Sequence, residues 1–124
     1  MLYNKEGKVL LQHRTDDAPR QPGFWSAFGG GIEAGETPEE ALRRELEEEL
    51  EYEVRNPQLL AVEAFTDALG TGYNYVEAYD ETQIVVLHEG QGYGWFTFAE
   101  TRELPMSPYR RKMLQKLEAY LAGR

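Results

Sequence analysis

From Gly30 to Tyr52 the chain reads GGIEAGETPEEALRRELEEELEY, and this stretch decides the fold. Thr37 suits an N-cap, Pro38 the first helical position and Glu40 the acid of a capping box, so a helix is predicted to start here. At about 100° per residue, Glu45, Glu48 and Glu49 converge on one face, while Leu42, Leu46 and Leu50 form a second stripe suited to packing on a sheet. Arg43, Glu47 and Glu51 point to the solvated side. Three like charges within one turn repel, and a divalent cation reverses the sign of that interaction. Carboxylate ligands without thiol or paired histidine suit Mg²⁺ or Mn²⁺ rather than zinc. A plain solvated acidic face is the alternative reading of the same spacing.

The whole string discriminates between them. Five residues separate Gly30 from Glu36, seven more lead to Arg44, Glu45 and Leu46, and Glu48 and Glu49 follow after one spacer. This resembles the Nudix box, G-x5-E-x7-R-E-U-x-E-E-x-G-U with U apolar, and departs from it at Glu51, where the motif has glycine. A glutamate in a left-handed helix-terminating position costs on the order of 1 kcal/mol, so the helix is predicted to run on a residue or two.

Composition sets limits around this motif. A chain of 124 residues suits one domain, 1–124, with one core. No stretch reaches transmembrane length and the start lacks the regions of a signal peptide, so a soluble, cytoplasmic protein is expected. The absence of cysteine excludes disulfides and zinc–thiolate sites. The formal charge is −9, and residues 36–53 carry nine glutamates against Arg43 and Arg44, a local charge of −7. Long nucleic acid needs a basic track and is therefore not an expected partner; a small polyphosphate screened by metal ions is compatible with this charge.

Outward from the motif, Leu2–Tyr3, a turn at Asn4–Gly7, and Val9–Leu11 read as a strand remnant, a hairpin turn and a strand. The first strand is short or truncated, and a homodimer is one assembly that would cover its edge. Residues 16–23 form a polar loop, and Phe24–Phe28 a short strand leading to Gly29, Gly30 and Gly31, where the backbone can approach a phosphate or metal. His13 reads as a surface residue, and Trp25 and Phe28 as core. After the helix, strands are expected at 59–66, 73–79, 84–87 and 93–98, the run Ile84–Leu87 covered on both faces, with a turn at 67–72. A helical turn at 99–104 and an amphipathic helix through Tyr109, Met113, Leu117 and Tyr120 close the core, its Arg110, Arg111, Lys112 and Lys116 on a solvated face.

The resemblance implies an α+β fold, a Nudix-type α/β/α sandwich with a mixed central sheet, the motif helix and the C-terminal helix. It also implies hydrolysis of a nucleoside diphosphate linked to another moiety. By resemblance, Glu45, Glu48, Glu49 and the Gly30 carbonyl hold Mg²⁺, with Mn²⁺ as substitute. Arg44 orients a carboxylate, Glu36 braces the loop behind the ligands, and Arg14, Gly30 and Gly31 lie near the substrate phosphates. Glu89-Gly90-Gln91 before an aromatic strand is similar to a segment of the mutator-type oxidised-nucleotide hydrolases, in which the glutamate approaches the metals opposite the box helix. Glu89 is accordingly the expected carboxylate from outside the box, with Glu77, Asp80 and Glu81 as fallbacks. Glu45 and Glu89 both stand as general base. The expected substrate is a nucleoside triphosphate, oxidised or not, cleaved to the monophosphate and pyrophosphate. A nucleotide sugar, a dinucleoside polyphosphate, or a noncatalytic nucleotide-binding module are the alternatives. Loops 16–23, 67–72 and 91–93 are expected to read the rest of the substrate; Tyr73, Tyr75, Tyr79, Tyr93 and Trp95 offer candidate stacking surfaces, although strand aromatics are more often core.

Overall fold

The computed structural model describes residues 1–29, 31–64 and 70–124. Strands β1 (Leu2–Tyr3), β2 (Val9–His13) and β3 (Trp25–Ser26) precede helix α1 (Pro38–Leu50). Then come β4 (Gln58–Ala64), β5 (Thr71–Ala78), β6 (Gly92–Phe96), the short α2 (Phe98–Thr101) and α3 (Pro108–Ala122). β2 is the hub of the sheet. Its whole length pairs antiparallel with β6, from Val9↔Phe96 to His13↔Gly92, while its other edge takes β1 at Val9 and β3 at Gln12 and His13. β1 runs parallel to β5, which pairs antiparallel with β4, so the sheet is mixed.

Alternation along β2 assigns the two layers. Leu10 joins Leu2, Phe28, Leu46, Leu50, Tyr52 and Val54 under α1. Val9 and Leu11 point the other way and join Tyr3, Val76, Met106, Leu114 and Leu117 under α3. Three consecutive apolar residues in a strand covered on both faces produce this division. Each fully buried leucine, Leu50 and Leu117 among them, stabilises the fold by about 2 kcal/mol through removal from water.

Local chemistry sets the helix starts. Thr37 accepts from the Glu40 N–H (3.1 Å) and the Glu40 carboxylate accepts from the Thr37 N–H (2.8 Å), the reciprocal box that the sequence predicts. Ser107 caps α3 through the Arg110 N–H (3.1 Å), with Pro108 at the first helical position.

Several sequence expectations are corrected. α1 does not run past Leu50: Glu51 takes left-handed φ 53°, ψ 37° despite having a side chain. The Glu51 N–H returns to the Glu47 carbonyl (3.0 Å) and the Tyr52 N–H to that of Leu46 (3.3 Å), and this sharp stop drops the Tyr52 ring into the core. Burying a tyrosine ring outweighs a local strain on the order of 1 kcal/mol. Residues 84–87 form no strand among the described residues, and they are not covered on both faces. Val85 and Leu87 pack inward, whereas Ile84 is 85 % exposed. β3 is only Trp25–Ser26, and β6 ends at Phe96 because Thr97 caps α2. β5 starts at Thr71, so the expected turn at 67–72 is shortened; Phe65 and Thr66 of the expected strand and Asp67 to Leu69 of the turn lie outside the described residues. The basic face of α3 is not uniformly solvated: Arg110 Nε is buried, and the Arg111 guanidinium caps the Leu104 carbonyl (2.7 Å).

Candidate active site

α1 presents its carboxylates beside the glycine loop, and Arg44 ties the two together. Its guanidinium donates to both oxygens of Glu36 (2.7 and 3.0 Å), to Glu45 (2.7 Å), to the Gly31 carbonyl (3.0 Å) and, more loosely, to Glu48 (3.4 Å). Those carboxylates raise the Arg44 pKa and keep it charged. In turn the Arg44 hydrogen bond, with help from the Glu33 N–H (2.8 Å), lowers that of Glu36. Glu36 thus bridges loop and helix, which is what bracing requires.

Glu49 differs from its neighbours. It is 6 % exposed, and one oxygen accepts from the Gly29 N–H (2.9 Å). Burial pushes its carboxyl up to about 8; the Gly29 N–H opposes this shift, while the charges of Glu45 and Glu89 add to it. The charge of Glu89, 40 positions along the chain, thus acts on Glu49. Among the described residues no three acidic or imidazole groups are already gathered as a ligand set; Glu45 is engaged by Arg44 and Glu49 by Gly29. The donors are nonetheless hard oxygens whose mutual repulsion a divalent cation removes, so their chemistry fits Mg²⁺ or Mn²⁺.

The loop carrying Glu89 is held from both sides. Val86 and His88 donate their N–H groups to the Leu50 and Glu49 carbonyls at the end of α1 (2.9 and 2.7 Å). On the other side Gly90 has φ 81°, and a Cβ there would meet the His13 carbonyl oxygen at 2.7 Å, so only glycine fits. The Gln91 N–H bonds the His13 carbonyl (2.8 Å), and its side-chain amide bonds the Arg14 carbonyl (2.7 Å) and Asp16 (3.1 Å).

The fallback carboxylates are otherwise occupied. Glu77 accepts from Tyr52 Oη (2.9 Å) and from the Arg55 and Asn56 N–H groups (3.0 and 2.5 Å). Asp80 accepts from Thr82, Gln83 and Arg55, which hold its pKa well below the usual carboxylate range. Glu81 pairs with Lys5 (3.3 Å).

A cleft of about 470 Å³ lies between the glycine loop and the first half of α1 on one side and Thr71 to Tyr75 on the other; Glu45, Glu48, Glu49 and Glu89 do not line it, and Gly29, whose N–H bonds Glu49, does. Gly29, Gly31 and Arg14 border it, and Tyr109 and Arg110 also line it. Arg14 donates its Nε to the Arg20 carbonyl (2.9 Å). Of the proposed stacking aromatics, Tyr73 and Tyr75 line the cleft. Tyr79 and Trp95 are core, and neither they nor residues 91–93 border it. Gly30, expected to offer its carbonyl, lies outside the described residues. His13 stacks on Trp25 at 4.5 Å, a structural contact.

Three groups escape the sequence reading: the Gly29 N–H on Glu49, the Glu51–His88 pair (2.6 Å), and Arg110, whose guanidinium bonds Asn74 (3.1 Å). An arginine in the first turn of a helix with no acid there is the signal for the last.

Comparison with known proteins agrees with this architecture. The NUDIX domain model matches residues 1–117. An RNA pyrophosphohydrolase of Gluconacetobacter diazotrophicus is 46 % identical over 54 residues, covering 40 % of this chain and 32 % of that protein. Nucleoside triphosphatase NudI of Escherichia coli is 51 % identical over 49 residues, covering 40 % and 35 %. The match thus spans about a third of the length of these curated relatives. Among solved structures, MutT from the study of Aliivibrio salmonicida and Vibrio cholerae superposes with TM-score 0.76 at 27 % identity, covering 96 % of this chain and 92 % of that one. The Ap4A hydrolase of C. elegans, at TM-score 0.78 and 21 % identity over 99 % and 96 %, shares the fold. With the box on α1, the mixed sheet between two helices and a family model matched over nearly its whole length, this chain belongs to the Nudix family.

Proposed function

We propose that the chain, acting as one domain over 1–124 in the cytoplasm, hydrolyses a phosphoanhydride bond of a nucleoside triphosphate, with oxidised purine nucleotides among the candidates, to the monophosphate and pyrophosphate. The observation that carries this reading is the hydrogen-bonded arrangement of the box: Arg44 joins Glu36, Glu45 and Glu48 to the Gly31 carbonyl, and the buried Glu49 accepts from the Gly29 N–H with the charge of Glu89 acting on it. The name of one relative, nucleoside triphosphatase NudI, supports the substrate class.

Glu45, Glu48, Glu49 and Glu89, with the Gly30 carbonyl, would hold Mg²⁺ or Mn²⁺, which when bound neutralises phosphate oxygens and acidifies water. The chain's own residues position. Arg44 fixes Glu45 and the loop through Glu36 and Gly31. Arg14, Gly30 and Gly31 would contact the phosphates, and the cleft, bordered by Arg14 and Gly31 and of a volume that suits a nucleoside, would take the base beside Tyr73 and Tyr75. Glu45 or Glu89 accepts the proton of the attacking water as the anhydride bond breaks and pyrophosphate leaves.

A dinucleoside polyphosphate or nucleotide sugar is a second reading favoured by Arg110, which has no carboxylate partner among the described residues and could meet a further anionic group. The test is incubation with nucleoside triphosphates, nucleotide sugars, dinucleoside polyphosphates and a short 5′-triphosphorylated RNA plus Mg²⁺, with products separated. Turnover of a nucleoside triphosphate is expected, and Glu89→Gln should lower kcat by on the order of 10²-fold. No turnover of any compound, with nucleotide binding unchanged in Glu49→Gln, would assign a noncatalytic binding module instead.

A further inference from the structure

Glu51 holds a left-handed backbone where the box has glycine. Glycine takes that conformation freely, so a glutamate there is strained, and what it offers in return is a side chain. That side chain reaches His88: the carboxylate Oε2 lies 2.6 Å from Nε2. A carboxylate only accepts, so Nε2 carries the proton and donates. The contact sits where the Glu89 loop meets α1. The Val86 and His88 N–H groups fill the Leu50 and Glu49 carbonyls, which the helix end leaves open, and Glu89 follows directly.

Both side chains of the pair are about half exposed, at 50 % and 52 %. Such a pair contributes little to global stability. Its place matters more than its strength, because it joins the last turn of the carboxylate helix to the residue preceding Glu89.

We propose that Glu51 is a positioning residue that, through His88, holds the Glu89 loop against the end of α1 and so sets the affinity of the site for its divalent cation. The proposal rests on the reading above, in which Glu49 and Glu89 take the cation. Main-chain bonds at Val86 and His88 dock the loop coarsely, and the side-chain pair fixes its orientation.

The test measures Mn²⁺ affinity of nucleotide-free protein by calorimetry together with Tm. Glu51→Gly relieves the backbone and deletes the tie. Its Tm should equal or exceed that of the native protein while Mn²⁺ binds about 3- to 5-fold more weakly, the size of an exposed pair's contribution. His88→Ala should weaken Mn²⁺ equally without touching the helix end, and Glu51→Gly/His88→Ala no further than either alone. Glu51→Gln keeps an acceptor and should restore most of the affinity. Native affinity in Glu51→Gly or His88→Ala overturns the proposal. So do losses that multiply in the double variant, or a Tm that falls in step with affinity, which would mean general loosening. Glu49→Gln is the control for the underlying reading: if it binds Mn²⁺ like the native protein, the metal site itself lies elsewhere and the proposal falls with it.

Discussion

Glu49 and Glu77 are buried to the same degree, each 6 % exposed, yet the chain uses them differently. Glu77, near the end of β5, is surrounded by donors: the Tyr52 hydroxyl and two successive N–H groups, Arg55 and Asn56, converge on it. A charge so solvated by the protein stays in place and holds the connector after α1 against the sheet. Glu49 has one donor, Gly29, and faces the acids Glu45 and Glu89. Its charge is opposed, so the group holds its proton up to about pH 8. Burial alone therefore does not mark a functional carboxylate; the sign of what surrounds it does.

The largest effect that would break this comparison is on turnover. Glu49→Gln is expected to lower kcat by about 10²-fold or more, with Tm of the metal-free protein unchanged or raised because a buried repulsion is removed. Glu77→Gln should do the reverse, retaining turnover within about threefold while stability falls by about 2 kcal/mol, since the amide presents a donor to N–H groups that need an acceptor. Equal losses of activity in both, measured on matched folded fractions, would erase the distinction.

Next in size is the pH response. A carboxyl whose folded pKa is raised to about 8 contributes stability that is fully present below its unfolded value near 4.5 and is lost as pH rises through 8. Metal-free protein should therefore lose Tm between pH 5 and 9 relative to Glu49→Gln, by several degrees, on the order of 2 kcal/mol. The difference between the two proteins is the quantity to read, because the buried Met1 ammonium, lowered to about 5, pulls the opposite way over the same range. Saturating Mg²⁺ at pH 8.5 should restore the native protein and leave Glu49→Gln unmoved. Parallel pH curves would place the proton elsewhere.

The smallest effect sharpens the Glu77 side. Arg55 gives Glu77 its N–H and Asp80 its guanidinium (3.1 Å), the latter about half exposed. Arg55→Ala removes only the side chain and should leave the denaturant midpoint nearly unchanged. A larger shift would mean that the ion pair, not the main-chain donors, holds this corner.

The features legible beforehand were those whose partners lie within a few residues. Thr37, Pro38 and Glu40 start α1 by contacts three positions apart, and Leu42, Leu46 and Leu50 share a stripe by helical geometry. The same geometry puts Glu45, Glu48 and Glu49 on one face. The strand at Val9 to Leu11 was also legible, and the closing helix through Tyr109, Met113, Leu117 and Tyr120 follows from its periodicity. Ile84 to Leu87 misled because an apolar run states only that burial is available. Whether a neighbouring strand exists is decided elsewhere, and here the segment spends its N–H groups on the end of α1.

By itself, then, the sequence determined the helix that bears the carboxylates and its N-terminal cap, because those depend on short-range spacing. Only the tertiary structure decided that Glu51 would bend left-handed to bury Tyr52, that Val86 and His88 would bond the end of α1, that Glu77 would be sated by donors, and that Arg110 would line the cleft. Each of those depends on a partner more than twenty residues away or on an exchange of local strain for burial, and no local pattern encodes which distant group will arrive.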